Sequence, residues 1–161
     1  MDSPNEQNSF LCRHVELLLS SYQRLTGKAL ITDLAPDKSA KAIWEAPFFV
    51  ASHNAAADPV LTYGNQTALD LFEMDWAQFT STPSRFTAEA PERAERERLL
   101  TTVARQGYID DYSGVRISSS GRRFRIERAT VWNLIDEAGM KIGQAATFSR
   151  WEYLNEETPR C

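Results

Sequence analysis

Leu11, Val15, Leu18, Tyr22 and Leu25 step along the chain by four, three, four and three positions. That spacing predicts an amphipathic helix over residues 9–25, and Gly27 supplies its stop. Over so short a span, a 3.6-residue stripe packing on the chain's own sheet and a 3.5-residue seam meeting a partner helix are the same pattern. Leu17 and Leu19 widen the stripe enough to serve both, so the helix is the expected oligomerisation element of a homodimer, with the five stepped residues as its interface.

Downstream the period changes. Residues 28–37 read as a connection and 38–45 as one or two helical turns that end before Pro47. The continuous apolar run 48–52 is a strand covered on both faces. His53-Asn54 and Ala55 to Ala57 turn the chain into a second strand over 59–63, with Pro59 at an edge because it has no backbone donor. Asn65 then opens a short helix bearing Ala68, Leu69 and Phe72, and its side chain either caps that helix or meets a ligand. Trp76 and Phe79 share a face of the next helical piece, which 82–86 breaks. Pro91 sits where it opens a helix that runs to Arg105 and stops at Gly107. Its charged run, with Glu92 and Arg96 one turn apart, is a solvated face, and Leu99, Leu100 and Val103 attach it to the core.

The last third holds three strand-like runs, 108–118, 122–135 and 142–151, divided by Ser119-Ser120-Gly121 and Asp136-Glu137-Ala138-Gly139. Strict alternation puts Ile109, Asp111, Ser113, Val115 and Ile117 on one face of the first run, and Tyr108, Tyr112 and Arg116 on the other. The expected architecture is α+β, a five-stranded antiparallel sheet with short helices on one face and an added N-terminal helix. Residues 1–8 are expected to be a disordered start, 9–46 a helical segment, 47–151 the domain proper and 152–161 a tail.

Composition adds bounds. The 161 residues suit one core, and 42% hydrophobic with 25% charged residues is ordinary for a globular protein. A net charge of -4 gives no field for nucleic acid or anionic lipid, so neither is an expected partner of this chain alone. Cys12 and Cys161 stand far from any metal-ligand or redox spacing. The start MDSPNEQNS lacks the pattern of a signal or transit peptide, and no apolar run approaches a membrane span. A reduced, cytoplasmic protein is expected.

The order of elements is that of the PAS fold, and the strings PSR, DYSGVRISS, RRFRI and VWNL together resemble the MEKHLA domain, a PAS-related family. The resemblance covers residues 10–151. MEKHLA domains occur at the C-terminus of plant homeodomain-leucine-zipper transcription factors, where they are thought to govern dimerisation, and as standalone proteins in bacteria and algae. With no homeodomain, this chain resembles the standalone type. The resemblance implies a sensory or regulatory domain that binds a small molecule, mediates protein interaction, or both, and leaves the cofactor unknown. The flavin-binding PAS branch uses an Asn-Cys-Arg motif, and the absence of a cysteine from the middle of this chain argues against adduct photochemistry. Haem would need His14 or His53, one on the first helix and the other at a strand end, so geometry argues against it too.

The candidate ligand-binding residues are His53, Tyr63 and Asn65 from the early strands and Phe72 and Trp76 from the helices. Arg85, after Pro83, and Arg116, Trp132 and Asn133 from the late strands complete the set. Arg85 or Arg116 would anchor an anionic ligand, most simply a carboxylate. For each residue a structural role competes: Arg116 pairing with Asp110, Asp111 or Glu127, and Trp132 filling core. Arg122, Arg123, Arg125 and Arg128 form a basic stretch that either meets an acidic partner protein or is plain solvated strand. An enzyme using the cavity around His53, with Ser52 and Asp58 near in sequence, is the alternative. No catalytic residue is assigned, because nucleophile, base and orienter must meet in space.

Overall fold

Gly27 closes α1 (Cys12–Thr26) in left-handed backbone, φ 73°, with its N–H bonded to the Gln23 carbonyl. The helix begins later than its apolar stripe implies. Ser9, Phe10 and Leu11 have φ of 54°, 53° and 55°, a conformation that costs energy for residues with a Cβ. They lie in a 3-10 segment, Glu6–Leu11, at whose start Asn5 and Asn8 cap one another. The stretch read from sequence as a disordered start thus carries a capped turn. The structure, a computed structural model, describes residues 2–32, 34–89 and 93–154. Pro91, Glu92, Cys161 and most of the expected tail lie outside the described residues.

After α1 come α2 (Pro36–Trp44), β1 (Phe49–Asn54), β2 (Leu61–Gly64), α3 (Gln66–Phe72), α4 (Trp76–Phe79) and α5 (Arg93–Gln106). Then follow β3 (Tyr108–Ile117), β4 (Arg123–Ile135), β5 (Lys141–Phe148) and β6 (Arg150–Tyr153). The strands form one antiparallel sheet in the order β2-β1-β5-β4-β3, with β6 beside β4. The run expected as a single strand over 142–151 is therefore two. β4 pairs with β5 through Thr130 to Ile135 and with β6 through Phe124 to Glu127. Between those stretches Arg128 sits at φ 50°. One irregular residue hands the long strand from one neighbour to the next. The same register sets Arg125 opposite Glu152 and Glu127 opposite Arg150, and Arg123 pairs with Glu89, so acids stand against much of the basic stretch.

Successive strand residues point to opposite faces, and both faces are covered. Phe49, Ile126, Val131 and Phe148 pack with Ala68, Phe72, Phe79 and Val103 beneath α3, α4 and α5. Val50, Trp132, Leu134 and Ala145 face the other way, onto Val15, Leu18, Ala40 and Ile43 of α1 and α2. Val15 and Leu18 of the expected interface are buried against the chain's own sheet. Leu11, Tyr22 and Leu25 are partly buried against the same core. Polar bonds fix the helix there: the Trp132 indole N–H donates to the Leu18 carbonyl at 3.2 Å, and the Ser21 hydroxyl accepts from the Ile135 N–H at 3.0 Å.

Strict alternation fails in β3. Ile109 lies opposite Val131 and Tyr112 opposite Ala129, so three steps on β3 match two on β4. The extra residue is a bulge that reverses the faces. Ile109 and Tyr112 consequently share the inner core while Tyr108 packs into the outer one.

Candidate ligand-binding cavity

Between the inner sheet face and the helices the core leaves a cavity of about 560 Å³, within the range of small-molecule sites. Phe49, Val131, Ala146 and Phe148 line it from the sheet, and Phe72 and Leu99 from the helices. Residues 82–89 pass across it as a strap. At one end the Leu61 N–H donates to the Thr82 carbonyl at 3.0 Å and the Ser84 N–H to the Pro59 carbonyl at 2.8 Å. At the other, Ala88 bridges Arg116 and the Glu89 N–H donates to the Val115 carbonyl at 3.3 Å. The strap thus runs from one outer strand, β2, to the other, β3. An ion pair holds each end: Arg85 with Asp58 at 3.1 Å and Arg123 with Glu89.

A polar row crosses the sheet at one side of the cavity. His53 lies opposite Gln144, and Gln144 opposite Asn133, so all three side chains point the same way. Gln144 bonds Asn133 at 3.4 Å. His53 Nδ1 lies 2.7 Å from the Asn54 carbonyl, which fixes Nδ1 as the protonated nitrogen of the neutral ring. Burial pushes the imidazole below its ordinary pKa, and the Asn54 bond opposes part of that shift.

Tyr112 and Arg116 line the cavity from β3. Gly114 lies between them, and a Cβ there would come within 3.0 Å of the Tyr112 hydroxyl. The glycine lets the tyrosine ring lie along the strand. Burial lowers the Arg116 pKa from its ordinary value, and nearby Tyr112 acts against that. Among the described residues Arg116 has no ion pair: Asp111, one of its expected partners, is bound by Arg98 at 2.9 Å.

The family profile described as MEKHLA domain matches residues 12–153. The chain belongs to the MEKHLA domain family. "Homeobox-leucine zipper protein ATHB-14" of Arabidopsis thaliana is 31% identical over 98 residues, 61% of this chain and 12% of that protein. "Homeobox-leucine zipper protein HOX29" of Oryza sativa subsp. indica is 27% identical over 142 residues, 85% of this chain and 16% of that protein. The MEKHLA chain therefore spans only a small part of these relatives' length. Among solved structures, an "RNA-binding Light-Oxygen-Voltage Receptor" superposes with a TM-score of 0.60 at 21% identity, over 73% of this chain and 34% of that one. A PAS domain from Colwellia psychrerythraea gives 0.57 at 13% identity, over 73% and 94%. At these identities the likeness establishes the α+β PAS-like fold.

In this MEKHLA domain the sequence-derived site residues divide by face. His53, Phe72, Arg85 and Arg116 line the cavity, and Asn133 joins them through Gln144. Arg85 is turned toward Asp58 and lies over the Phe86 ring at 4.2 Å. Tyr63, Trp76 and Trp132 instead belong to the outer core under α1 and α2, a correction that follows from both sheet faces being covered. Asn65 is fully buried and away from the cavity lining. Its oxygen accepts from Ala68 and Val50 N–H and its amide donates to the Ile43 and Phe48 carbonyls. That set occupies both donors and both acceptor positions, so the cap reading describes it. Tyr112, Thr87 and Gln144 were missed as cavity residues. Gln144 carried a signal, since it is the lone polar side chain between Gly143 and Ala145-Ala146.

The residues of the enzyme alternative do not assemble. The Ser52 hydroxyl bonds His14 Nε2 and Thr62 on the outer face, both at 2.9 Å, and Asp58 is held by Arg85. Ser52 is only 2% exposed. Among the described residues, no group of three or more His, Cys, Asp and Glu has metal-binding geometry, and no helix is long and apolar enough to cross a membrane.

Proposed function

We propose that this MEKHLA domain is a cytoplasmic sensory or regulatory module that takes a small organic molecule into the cavity beneath the strap and passes its occupancy to another protein chain. The observation that carries this reading is the cavity itself, walled by apolar side chains with polar groups gathered at one side. The PAS-like neighbours support the reading by fold alone.

The partner in this reading is a second copy or a different chain. Val15 and Leu18 of the expected interface are buried on the chain's own sheet, so a homodimer on α1 would use what its partly buried flanks leave exposed, Leu17 on one side and Leu19 on the other. Three fold neighbours are described as light-oxygen-voltage or LOV proteins, and among the described residues no cysteine lines this cavity, so a flavin held here would lack a lining thiol for adduct formation.

Native mass spectrometry and an absorption spectrum of the protein purified from its source test the proposal. The expected result is a retained mass of one small organic molecule per chain, released on denaturation. Protein that carries no added mass and gains none from a mixed metabolite extract would overturn it in favour of a purely protein-binding module.

A further inference from the structure

Two hydrogen-bond donors face the cavity without partners. Among the described residues, neither the Arg116 guanidinium nor the Tyr112 hydroxyl makes a hydrogen bond or ion pair within the chain, although Tyr112 is 4% exposed. Neither donor is sealed off: Arg116 is half-buried, and the described side-chain polar atom that is buried without a partner is the Tyr63 hydroxyl, so the Arg116 and Tyr112 donors open onto the cavity and stand free for a ligand. Nor do the described lining residues supply a free anion. Glu89 is the one carboxylate among the described lining residues, and Arg123 engages both of its oxygens.

We infer that the ligand of this cavity is a monocarboxylic acid with an apolar body, its carboxylate held by Arg116 and Tyr112 and its body lodged among Phe49, Phe72 and Phe148. The inference rests on the sensory reading above and specifies its ligand class. A guanidinium offers two parallel N–H groups to the two oxygens of a carboxylate, and the phenol adds a third donor. Gly114 makes the pair possible, because the Tyr112 hydroxyl reaches over the space a Cβ would take. The charge count favours carboxylate over phosphate. Arg85, the other lining arginine, is committed to Asp58 outside, so a phosphate monoester would leave a second negative charge in a largely apolar space. The remaining polar groups, His53, Gln144 and Asn133, stand on β1, β5 and β4 and bond to one another or to main chain, and Arg116 lies near enough to His53 to add to the lowering of its pKa.

Isothermal titration of the full chain with octanoate, 1-octanol and octyl phosphate tests this. Octanoate should bind at least about tenfold more tightly than 1-octanol, the effect of one charge-assisted contact. Arg116→Gln should erase that preference while leaving octanol binding intact, and Tyr112→Phe should reduce it. Without ligand, Arg116→Gln should leave the melting temperature nearly unchanged, because the half-buried guanidinium has no hydrogen-bond or ion-pair partner among the described residues to lose. Equal affinity for acid and alcohol, or tighter binding of octyl phosphate, overturns the carboxylate assignment and leaves the sensory cavity standing. Absence of binding by all three to folded protein overturns this ligand class, and the native mass spectrum decides the sensory reading separately. A lowered melting temperature for Arg116→Gln would give the guanidinium a structural role and overturn the assignment as well.

Discussion

The side-chain amide of Asn65 donates to the main-chain carbonyl of Ile43 at 2.9 Å, across 22 positions of the chain. One residue thereby joins the end of α2, the start of β1 and the first turn of α3. Asn65→Ala would strip the Val50 and Ala68 N–H groups and the Phe48 carbonyl of this partner, while the Ile43 carbonyl keeps the Ala46 N–H at 3.3 Å, at a cost of about 3 kcal/mol. Asn65→Asp should not rescue it, since a carboxylate would face the Ile43 and Phe48 carbonyls. Urea denaturation of the two variants checks both statements.

Tyr63 gives the opposite expectation. Its hydroxyl is fully buried with no hydrogen-bond partner, while its ring stacks on His14 at 5.6 Å and meets Trp76 edge-on at 5.9 Å. Tyr63→Phe keeps both ring contacts and removes the orphan group, so it should stabilise the protein by about 1 kcal/mol. A loss of stability in thermal unfolding would mean that an internal water satisfies the hydroxyl.

Acid should weaken the fold through His14. Burial holds its pKa down at about 4 against an ordinary 6.5. As pH falls below 6.5 the unfolded chain takes up a proton that the folded one refuses. Stability is therefore lost progressively between pH 6.5 and 4, by up to about 3 kcal/mol. His53, also lowered by burial, adds to the loss with the same sign. Unfolding free energies measured across that window should show a shallower slope in His14→Gln.

Adjacent leucines of α1 should behave differently. Leu18 is fully buried against the sheet, so Leu18→Ala should cost about 2–5 kcal/mol. Leu18→Asp should detach the helix, whatever the oligomeric state. Leu19→Asp should leave the fold intact and, if α1 carries the homodimer, convert it to monomer in sedimentation velocity.

Gly143 is a position with no room to spare. A Cβ there would lie 2.5 Å from the His53 carbonyl oxygen and 3.3 Å from Leu134 Cδ1. Since the nearer atom is backbone, Gly143→Ala should part β1 from β5 at a cost of about 1–3 kcal/mol. Amide exchange at His53, whose main chain faces β5, should accelerate in that variant, while Asn54, bonded to the Val60 carbonyl on the other side of β1, should not.

Much of this was legible in the chain. Asn65 was read either as a helix cap or as a ligand contact, and its four main-chain bonds are those of the cap. The three late strands were plain from their turns. What stayed hidden was the face each side chain takes. A bulge at residues 109–112 reverses the alternation without changing the composition of β3, so Tyr108 and Tyr112 were wrongly paired. Trp132 and Tyr63 looked like cavity walls because both sheet faces are lined with aromatic and aliphatic residues. Only the docking of α1 and α2 tells which face is closed.

The strap has a consequence for solubility. A sheet whose outermost strands expose unpaired main-chain groups can recruit further strands and grow into fibres. Here residues 82–84 bond along β2 and residues 88–89 along β3, and Pro83 has no N–H to offer a newcomer. The segment that encloses the cavity thus also blunts the outer strands β2 and β3 against open-ended strand addition.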